Sequence, residues 1–386
     1  MKSQLLIQEQ IKRGKYNTPD PYDVWNMKIG QWVKKIYYKS KLLGLLPAAA
    51  LTLYDFYINN RLRFGYSPRQ YPIAHGYRVM IALNLYKKTS DPEYLASAKE
   101  SLEWLSKNYS RNYSGYCWGI NMPWVSKIAT YEEEVPHVTH TPYALEAFLK
   151  YQELTKTTEY DKIIDSILQF LDNDLNKLID SGDTLALSYS PKTEVRVVVN
   201  ANSYAMFCYA SLYGRNPDLN AHIEDKIKKL YHFLVTTQHE NGSWYYFADD
   251  GPGNLIDCFH SCIVLKNIYK VNRIIPLPGS GQVIEKGYAY LKQYFWNDTK
   301  KLFKRFSITD RLSLIKFDLY DNAEMLNLAV LLKDDALVDT LSASIEKNFV
   351  VDTDVYSHII FPNLKINKNT LRWATYPYLY ALSKII

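Results

Sequence analysis

What the chain lacks narrows its function before any motif is read. Its 386 residues include only 4 cysteines, at positions 117, 208, 258 and 262. Their spacing forms no paired framework, so a disulfide-stapled domain is excluded and reduced thiols are expected. No glycine-rich phosphate loop or dinucleotide fingerprint occurs; "GSGQVIEKG" follows no strand and reads as a turn entering a helix. A nucleophile elbow with flanking glycines is also missing. Lys and Arg number 46 against 40 Asp and Glu, and the two signs alternate instead of forming a basic run. That balance argues against nucleic acid and leaves room for an acidic substrate. The opening "MKSQLLIQEQIKRGKY" has no apolar core followed by a small-residue cleavage site. The most apolar early stretch, "LLGLLPAAALTL", is too short to span a bilayer and contains Pro47. The expectation is a cytoplasmic protein without a membrane span, with peripheral attachment through that stretch left open.

Aromatic residues and helical periodicity are what the sequence has in plenty. It contains 34 tyrosines, whose rigid apolar face and single hydroxyl suit both helix packing and stacking on sugar rings. Charged amphipathic segments alternate with nearly continuous apolar ones. "DPEYLASAKESLEWLSKNY", "TEYDKIIDSILQFLDNDL", "NAHIEDKIKKLYHFLVTTQ" and "GSGQVIEKGYAYLKQYFW" read as outer helices with one wet face. "YPIAHGYRVMIALNLYKK", "PHVTHTPYALEAFLKYQEL", "NANSYAMFCYASLYG", "DCFHSCIVLKNIYKV", "YDNAEMLNLAVLLKD" and "LRWATYPYLYALSKI" read as buried inner helices. Outer helices near "LPAAALTLYDFYINN" and "DALVDTLSASIEKNF" complete six outer–inner pairs, one roughly every 50 to 65 residues. Inner-to-outer links are short. Outer-to-inner links are long, carry aromatic strand-like runs such as "GYCWGINMPW", and gather at the end where every inner helix begins.

Six helical hairpins closed into a ring describe an all-α fold, the (α/α)6 toroid, with short β-hairpin-like loops at its cleft end. On this periodicity, and on loop texture such as "NGSWYY" before "DCFHSCIVL", residues 45–386 resemble the six-hairpin family of carbohydrate-active proteins. That family includes glycoside hydrolases, polysaccharide lyases and uronate epimerases, so the resemblance implies a poly- or oligosaccharide partner. Residues 1–44, with "VWNMKIGQWVKKIYY", read as an N-terminal helical extension packed on the ring or serving as a partner-binding arm.

In such a ring the first turns of the inner helices face one another. They carry His75 and Tyr77; His137, Thr139 and His140; Asn200, Asn202 and Tyr204; Asp257 and His260; Asp321, Asn322 and Glu324; and Arg372, Trp373 and Tyr376. Capping explains Asp, Asn and Thr at helix starts, but not His, Arg, Tyr and Trp recurring at one phase of successive repeats. Hydrolysis requires two carboxyl groups flanking the glycosidic bond, for which Asp257 and Asp321 are the leading candidates, with Glu324 beside them. Lyase or epimerase chemistry instead removes a proton beside a uronate carboxylate; His140, His260 and Tyr204 can do this, with Asn202 and Arg372 neutralising the enolate. The catalytic expectation is therefore Asp257, Asp321, His260, His140 and Tyr204. His75, His137, Asn202, Trp244, Tyr246, Asn322, Glu324, Arg372 and Trp373 are expected to bind substrate.

No cofactor and no metal are expected. Cys258 and Cys262 share a helical face that Asp257 and His260 do not, so one zinc could not gather all four. Buried cysteine packing is the better reading. Carboxylate hydrolysis leads, proton-abstracting lyase or epimerase chemistry follows, and a non-catalytic glycan-binding protein of surface-polysaccharide biosynthesis is the alternative from another class.

Overall fold

A computed structural model of the chain describes residues 2–12, 16–309 and 312–386. Before the first inner helix come α1 (Lys2–Lys12), a single helical turn at Asp23–Asn26, α2 (Lys28–Lys39) and α3 (Lys41–Leu62). Inner and outer helices then alternate. Inner α4 (Pro72–Thr89) leads to outer α5 (Pro92–Lys107), and inner α6 (Thr141–Thr155) to outer α7 (Asp161–Gln169). Inner α8 (Val199–Leu212) leads to outer α9 (Asn220–Thr236), and inner α10 (Cys258–Asn272) to outer α11 (Ser280–Tyr294). Inner α12 (Leu319–Leu332) leads to outer α13 (Asp335–Phe349), and inner α14 (Tyr376–Ile385) packs back on α4. Each inner helix packs on the next around the circle, which is the (α/α)6 toroid.

The burial patterns explain the two layers. In α8 every residue from Val199 to Ala210 is buried, and a helix that is apolar on all sides has to lie inside. In α13 only Val338, Leu341, Ile345 and Phe349 are buried, a stripe at three- and four-residue spacing that faces the ring. Helix starts are set locally. Asp91 and Asp334 accept from backbone N–H groups of their own first turns, and Pro142 and Pro377 occupy positions where a missing N–H costs nothing.

Among the described residues every strand lies in an outer-to-inner link. Trp124–Val125 pairs with Thr130–Tyr131, Lys177–Asp180 with Leu185–Leu187, and Trp296–Asn297 with Leu302–Phe303. The longest, Asp354–Ile360, pairs antiparallel with both Leu364–Lys368 and Ile315–Asp318.

Three expectations shift. Helix α6 begins at Thr141 instead of Pro136, because residues 136–140 turn back so that the His137 N–H bonds the Trp118 carbonyl at 3.0 Å. Helix α14 begins at Tyr376 instead of Leu371, because Trp373 and Ala374 leave helical geometry, Ala374 at φ 78°. The sixth outer position is filled by α1, whose Leu6, Ile7 and Ile11 are buried and which packs on α14. The stretch predicted for that place, "LPAAALTLYDFYINN", is helical but lies in α3, packs on α2, and turns Leu46 and Leu53 outward. The close α2–α3 approach depends on Gly44, where a Cβ would collide with the Tyr37 backbone.

Candidate active site

At the end where the inner helices begin lies a cavity of about 360 Å³. All six inner repeats line it: Ile73 from α4, His140 and Tyr143 at α6, Asn200 and Tyr204 at α8, Phe259 and His260 at α10, Tyr320 at α12, and Arg372 and Trp373 before α14. Tyr22, Trp25, Lys34 and Tyr38 add a wall from the N-terminal segment. Part of the lining is aromatic: Trp373 stacks on Tyr320 at 4.3 Å, and Phe259 meets both edge-on. Such faces suit the apolar side of a sugar ring.

The reactive groups sit around these faces. Asp257 caps α10 by accepting from the His260 N–H at 3.0 Å, and its other oxygen lies 2.7 Å from His260 Nδ1. The carboxylate thereby holds the proton on Nδ1 and leaves Nε2 as the basic nitrogen. On the neighbouring repeat, Thr139 donates to the Tyr189 hydroxyl, so its oxygen accepts from His140 Nδ1 at 3.1 Å. His140 Nε2 is buried with no partner among the described residues. Burial, and then the nearby His137 and Arg372, hold the His140 pKa well below the ordinary value, while burial alone takes His137 down to about 3. Both rings are neutral at pH 7. The Tyr204 and Tyr143 hydroxyls bond each other at 2.5 Å, and burial keeps both protonated.

Four cationic side chains line the cavity wall, two of them held in ion pairs. Arg305 reaches Asp318 at 2.6 Å and the Tyr22 hydroxyl at 3.2 Å, and Arg372 grips Asp20 through two bonds of 2.7 and 2.8 Å. Lys127 and Lys34 also line it, and among the lining residues the only carboxylate is Asp257.

Of the expected residues, the fold brings Asp257, His260, His140, His137, Tyr204, Tyr246, Arg372 and Trp373 together on this wall. Asp321 is elsewhere: fully buried, it accepts from the Phe259 N–H at 3.0 Å and so caps the start of the adjacent helix α10. Burial pushes its pKa well up. Glu324 is enclosed inside the ring, bonded by the Tyr77 hydroxyl at 3.0 Å and paired with Lys266. The pair of cleft carboxylates that hydrolysis requires is therefore absent from the cavity lining, because the second one serves helix packing.

Asn202 and Asn322 are clamps. Asn322 accepts from the Phe303 N–H at 2.8 Å and donates to the Phe303 and Asp318 carbonyls at 3.1 and 2.9 Å. Asn202 repeats this with the Leu187 N–H and the Leu187 and Val198 carbonyls at 2.7, 3.3 and 3.0 Å. Each pins the strand of the incoming link to the first turn of its inner helix. The Trp244 indole donates to the Leu234 carbonyl at 2.8 Å, capping the C-terminus of outer helix α9, and its ring is buried. His75 stacks on Trp104 at 4.1 Å, bonds Gln70, and is held near a pKa of about 3 by burial. Cys258 and Cys262 pack into the wall between α10 and α12, with Cys262 Sγ 3.7 Å from Met325 Sδ.

The sequence reading missed Arg305, Tyr189, Lys127 and Tyr22, which lie in links instead of helices. Their signal was present: an arginine inside the aromatic run "KRFSI" and a tyrosine in "TLALSYS" are the link-borne counterparts of the helix-borne set.

Fold and cavity together define a closed (α/α)6 toroid with a polar, aromatic cleft at the inner-helix N-termini. Solved structures share the fold. A sugar epimerase from a ruminal bacterium matches at a TM-score of 0.59 and 14% identity, over 82% of this chain and 87% of its own. The cellobiose 2-epimerase of Bacillus thermoamylovorans matches at 0.61 and 12%, over 82% and 87%. A GH76 α-mannanase from Bacteroides thetaiotaomicron matches at 0.61 and 12%, over 95% and 97%. No family model and no curated protein matches the sequence.

Proposed function

We propose that the chain is a carbohydrate-active enzyme of the proton-abstracting kind, an epimerase or lyase acting on an acidic sugar. The observation that carries this reading is the Asp257–His260 pair on a cavity wall that also holds neutral His140 and no second carboxylate. His260 Nε2 removes a proton from the carbon beside the substrate carboxylate, and Asp257 stabilises the imidazolium that forms. Arg305 and Arg372 face the negative charge that develops on the substrate oxygens. His140 Nε2, neutral and unprotonated, can accept a hydrogen bond from a substrate hydroxyl, and the Tyr204 hydroxyl, which burial keeps protonated, is the acid that returns a proton to the carbon in an epimerase or to the departing oxygen in a lyase. Three buried polar atoms on this wall, His137 Nδ1, His140 Nε2 and Asn200 Oδ1, have no protein partner among the described residues, which supports a hydroxyl-rich ligand. Mannotriose is bound by an inactive α-1,6-mannanase of the same fold.

The test is turnover of uronate-containing oligosaccharides in D2O, followed by NMR. An epimerase should place deuterium at the carbon beside the carboxylate with inversion, whereas a lyase should leave that carbon without hydrogen, in a new double bond to the carbon that lost the glycosidic oxygen. His260→Ala should cut the rate by about 100- to 10,000-fold, the usual size of a general-base contribution, with binding retained. New reducing ends with neither deuterium nor a double bond, at a rate indifferent to His260→Ala, would instead support hydrolysis. Binding without any turnover would favour the glycan-binding alternative.

A further inference from the structure

The α2–α3 hairpin has no role in the cavity chemistry beyond Lys34 and Tyr38, yet it carries the most exposed apolar surface on the molecule. Helix α3 runs for 22 residues, about 33 Å at ~1.5 Å per residue. Its outward positions recur in pairs once per turn: Leu42 and Leu43, Leu45 and Leu46, Ala49 and Ala50, Leu53 and Tyr54, then Tyr57 and Ile58. Leu42 is 86% exposed and Leu46 78%. A stripe in phase with the helix that points away from its own core is a surface built to be covered.

Charge indicates what covers it. Between Asp23 and Asp91 the only acidic residue is Asp55, and it is fully buried. Lys39 and Lys41 are exposed at the N-terminal end of the stripe, Lys28 and Lys35 are exposed along α2, and Arg61 is exposed at the far end of α3. Trp32 on α2 is 60% exposed. An apolar face rimmed by lysine and aromatic side chains, with no exposed acid, matches the interface of an anionic bilayer. A second copy of the chain fits worse, because the same basic rim would meet itself.

The helix is also held at both ends. Asn60 Nδ2 donates to Asn367 Oδ1 at 2.7 Å, the Asn367 N–H returns to Asn60 Oδ1 at 3.2 Å, and Gly44 lies hard against α2. Its C-terminal end is tied to the strand Leu364–Lys368 through Asn60 and its N-terminal end to α2 at Gly44, so the hairpin presents the stripe as one unit. Phe64 and Phe361 continue the exposed apolar surface at its far end. We infer that the α2–α3 hairpin is a monotopic anchor that seats the protein on an anionic lipid surface. Since Lys34 and Tyr38 of the anchor also line the cavity, the cleft mouth stands next to the membrane.

Co-sedimentation of the full chain tests this, with vesicles of phosphatidylcholine mixed with phosphatidylglycerol against vesicles of phosphatidylcholine alone. The protein should pellet with the mixed vesicles at low salt, and far less with the neutral ones. The triple variant Leu42→Ser, Leu46→Ser, Leu53→Ser should stay in the supernatant with an unchanged melting temperature. Removing charge by Lys28→Gln, Lys35→Gln and Lys39→Gln should weaken partitioning by about a hundredfold, while leaving the apolar stripe intact. Wild-type protein that ignores both vesicles overturns the inference, as does a leucine variant that pellets like wild type. A wild-type dimer that the leucine substitutions turn into monomer, without lipid binding, assigns the face to a second copy and overturns it too.

Discussion

Asn322 separates a structural explanation of the polar ring from a functional one, because both predict that the residue matters but in different assays. Its side chain makes three hydrogen bonds, to the Phe303 N–H and to the Phe303 and Asp318 carbonyls, in a place that solvent does not reach. Replacing it with alanine removes all three and leaves the Phe303 groups without that partner. At about 1 kcal/mol net per bond, Asn322→Ala should lower the unfolding free energy by about 3 kcal/mol, and more if the stranded backbone groups find no water. Asn202→Ala should cost slightly less, since one of its three bonds is long at 3.3 Å. The two clamps lie in different repeats and share no partner, so the double variant should be additive within about 0.5 kcal/mol. Asn322→Asp is the isosteric control: it keeps the acceptor for the Phe303 N–H but sets a second acceptor against two carbonyls, so it should be destabilising as well. Urea unfolding followed by circular dichroism measures these losses, and glycan affinity of the folded variants should match wild type. Variants that unfold like wild type but lose the glycan would refute the clamp and return both asparagines to the substrate site.

Two further outcomes follow from the same geometry. Trp244→Phe deletes the indole donor to the Leu234 carbonyl while keeping most of the packing, so it should cost about 1–2 kcal/mol in thermal or urea unfolding and leave glycan affinity unchanged. Acid should destabilise the protein through His137: its pKa is about 3 when folded and near the ordinary 6.5 when unfolded, so the unfolded chain takes up the proton first. That contribution is intact above about pH 6.5 and is lost as pH falls toward 3, reaching about 2 kcal/mol at pH 5. His75 adds a similar term, so His137→Phe should flatten the slope of stability against pH without abolishing it. An unchanged slope would show that His137 is not held neutral.

The architecture was legible because periodicity is a property of many residues at once. Each inner helix is announced by an apolar run that no solvent-facing helix could carry, and each outer helix by a stripe. The failures came where single residues decide. Pro142 and Pro377 mark the true starts of α6 and α14, and the apolar runs before them belong to links. The sixth outer helix was assigned to the most apolar segment available, yet apolar character does not say which way a face points. The modest Leu6, Ile7 and Ile11 of α1 face the ring, whereas the stronger stripe of α3 faces away. The link-borne part of the site was missed for a related reason: Arg305, Tyr189 and Lys127 stand in links whose course has no period, so their residue types were legible but their place was not.

The recurrence of polar residues at one phase of the repeat has two causes, and helix geometry separates them. A polar side chain in the first turn of an inner helix can reach back to the incoming link, as Thr141, Asn202 and Asn322 do, each also touching the carbonyl four residues earlier. Thr141 bonds both the N–H and the carbonyl of Trp118, so it is a third clamp on the same plan. Successive residues of a helix turn by about 100°, so the residues one and two positions before the clamp point away from the link, in different directions. His140 precedes Thr141, Asn200 precedes Asn202, and Tyr320 precedes Asn322, and all three line the cavity. Conversely, Asp321 lies between cavity residue and clamp and faces the next helix, where it caps α10. Polar recurrence therefore does not by itself mark a ligand site; once the clamp residue of each repeat is located, the cleft residue lies one or two places before it. By that rule α10, whose Ser261 bonds the Asp257 carbonyl at 2.8 Å, presents His260 and Phe259 to the cavity, where both are found.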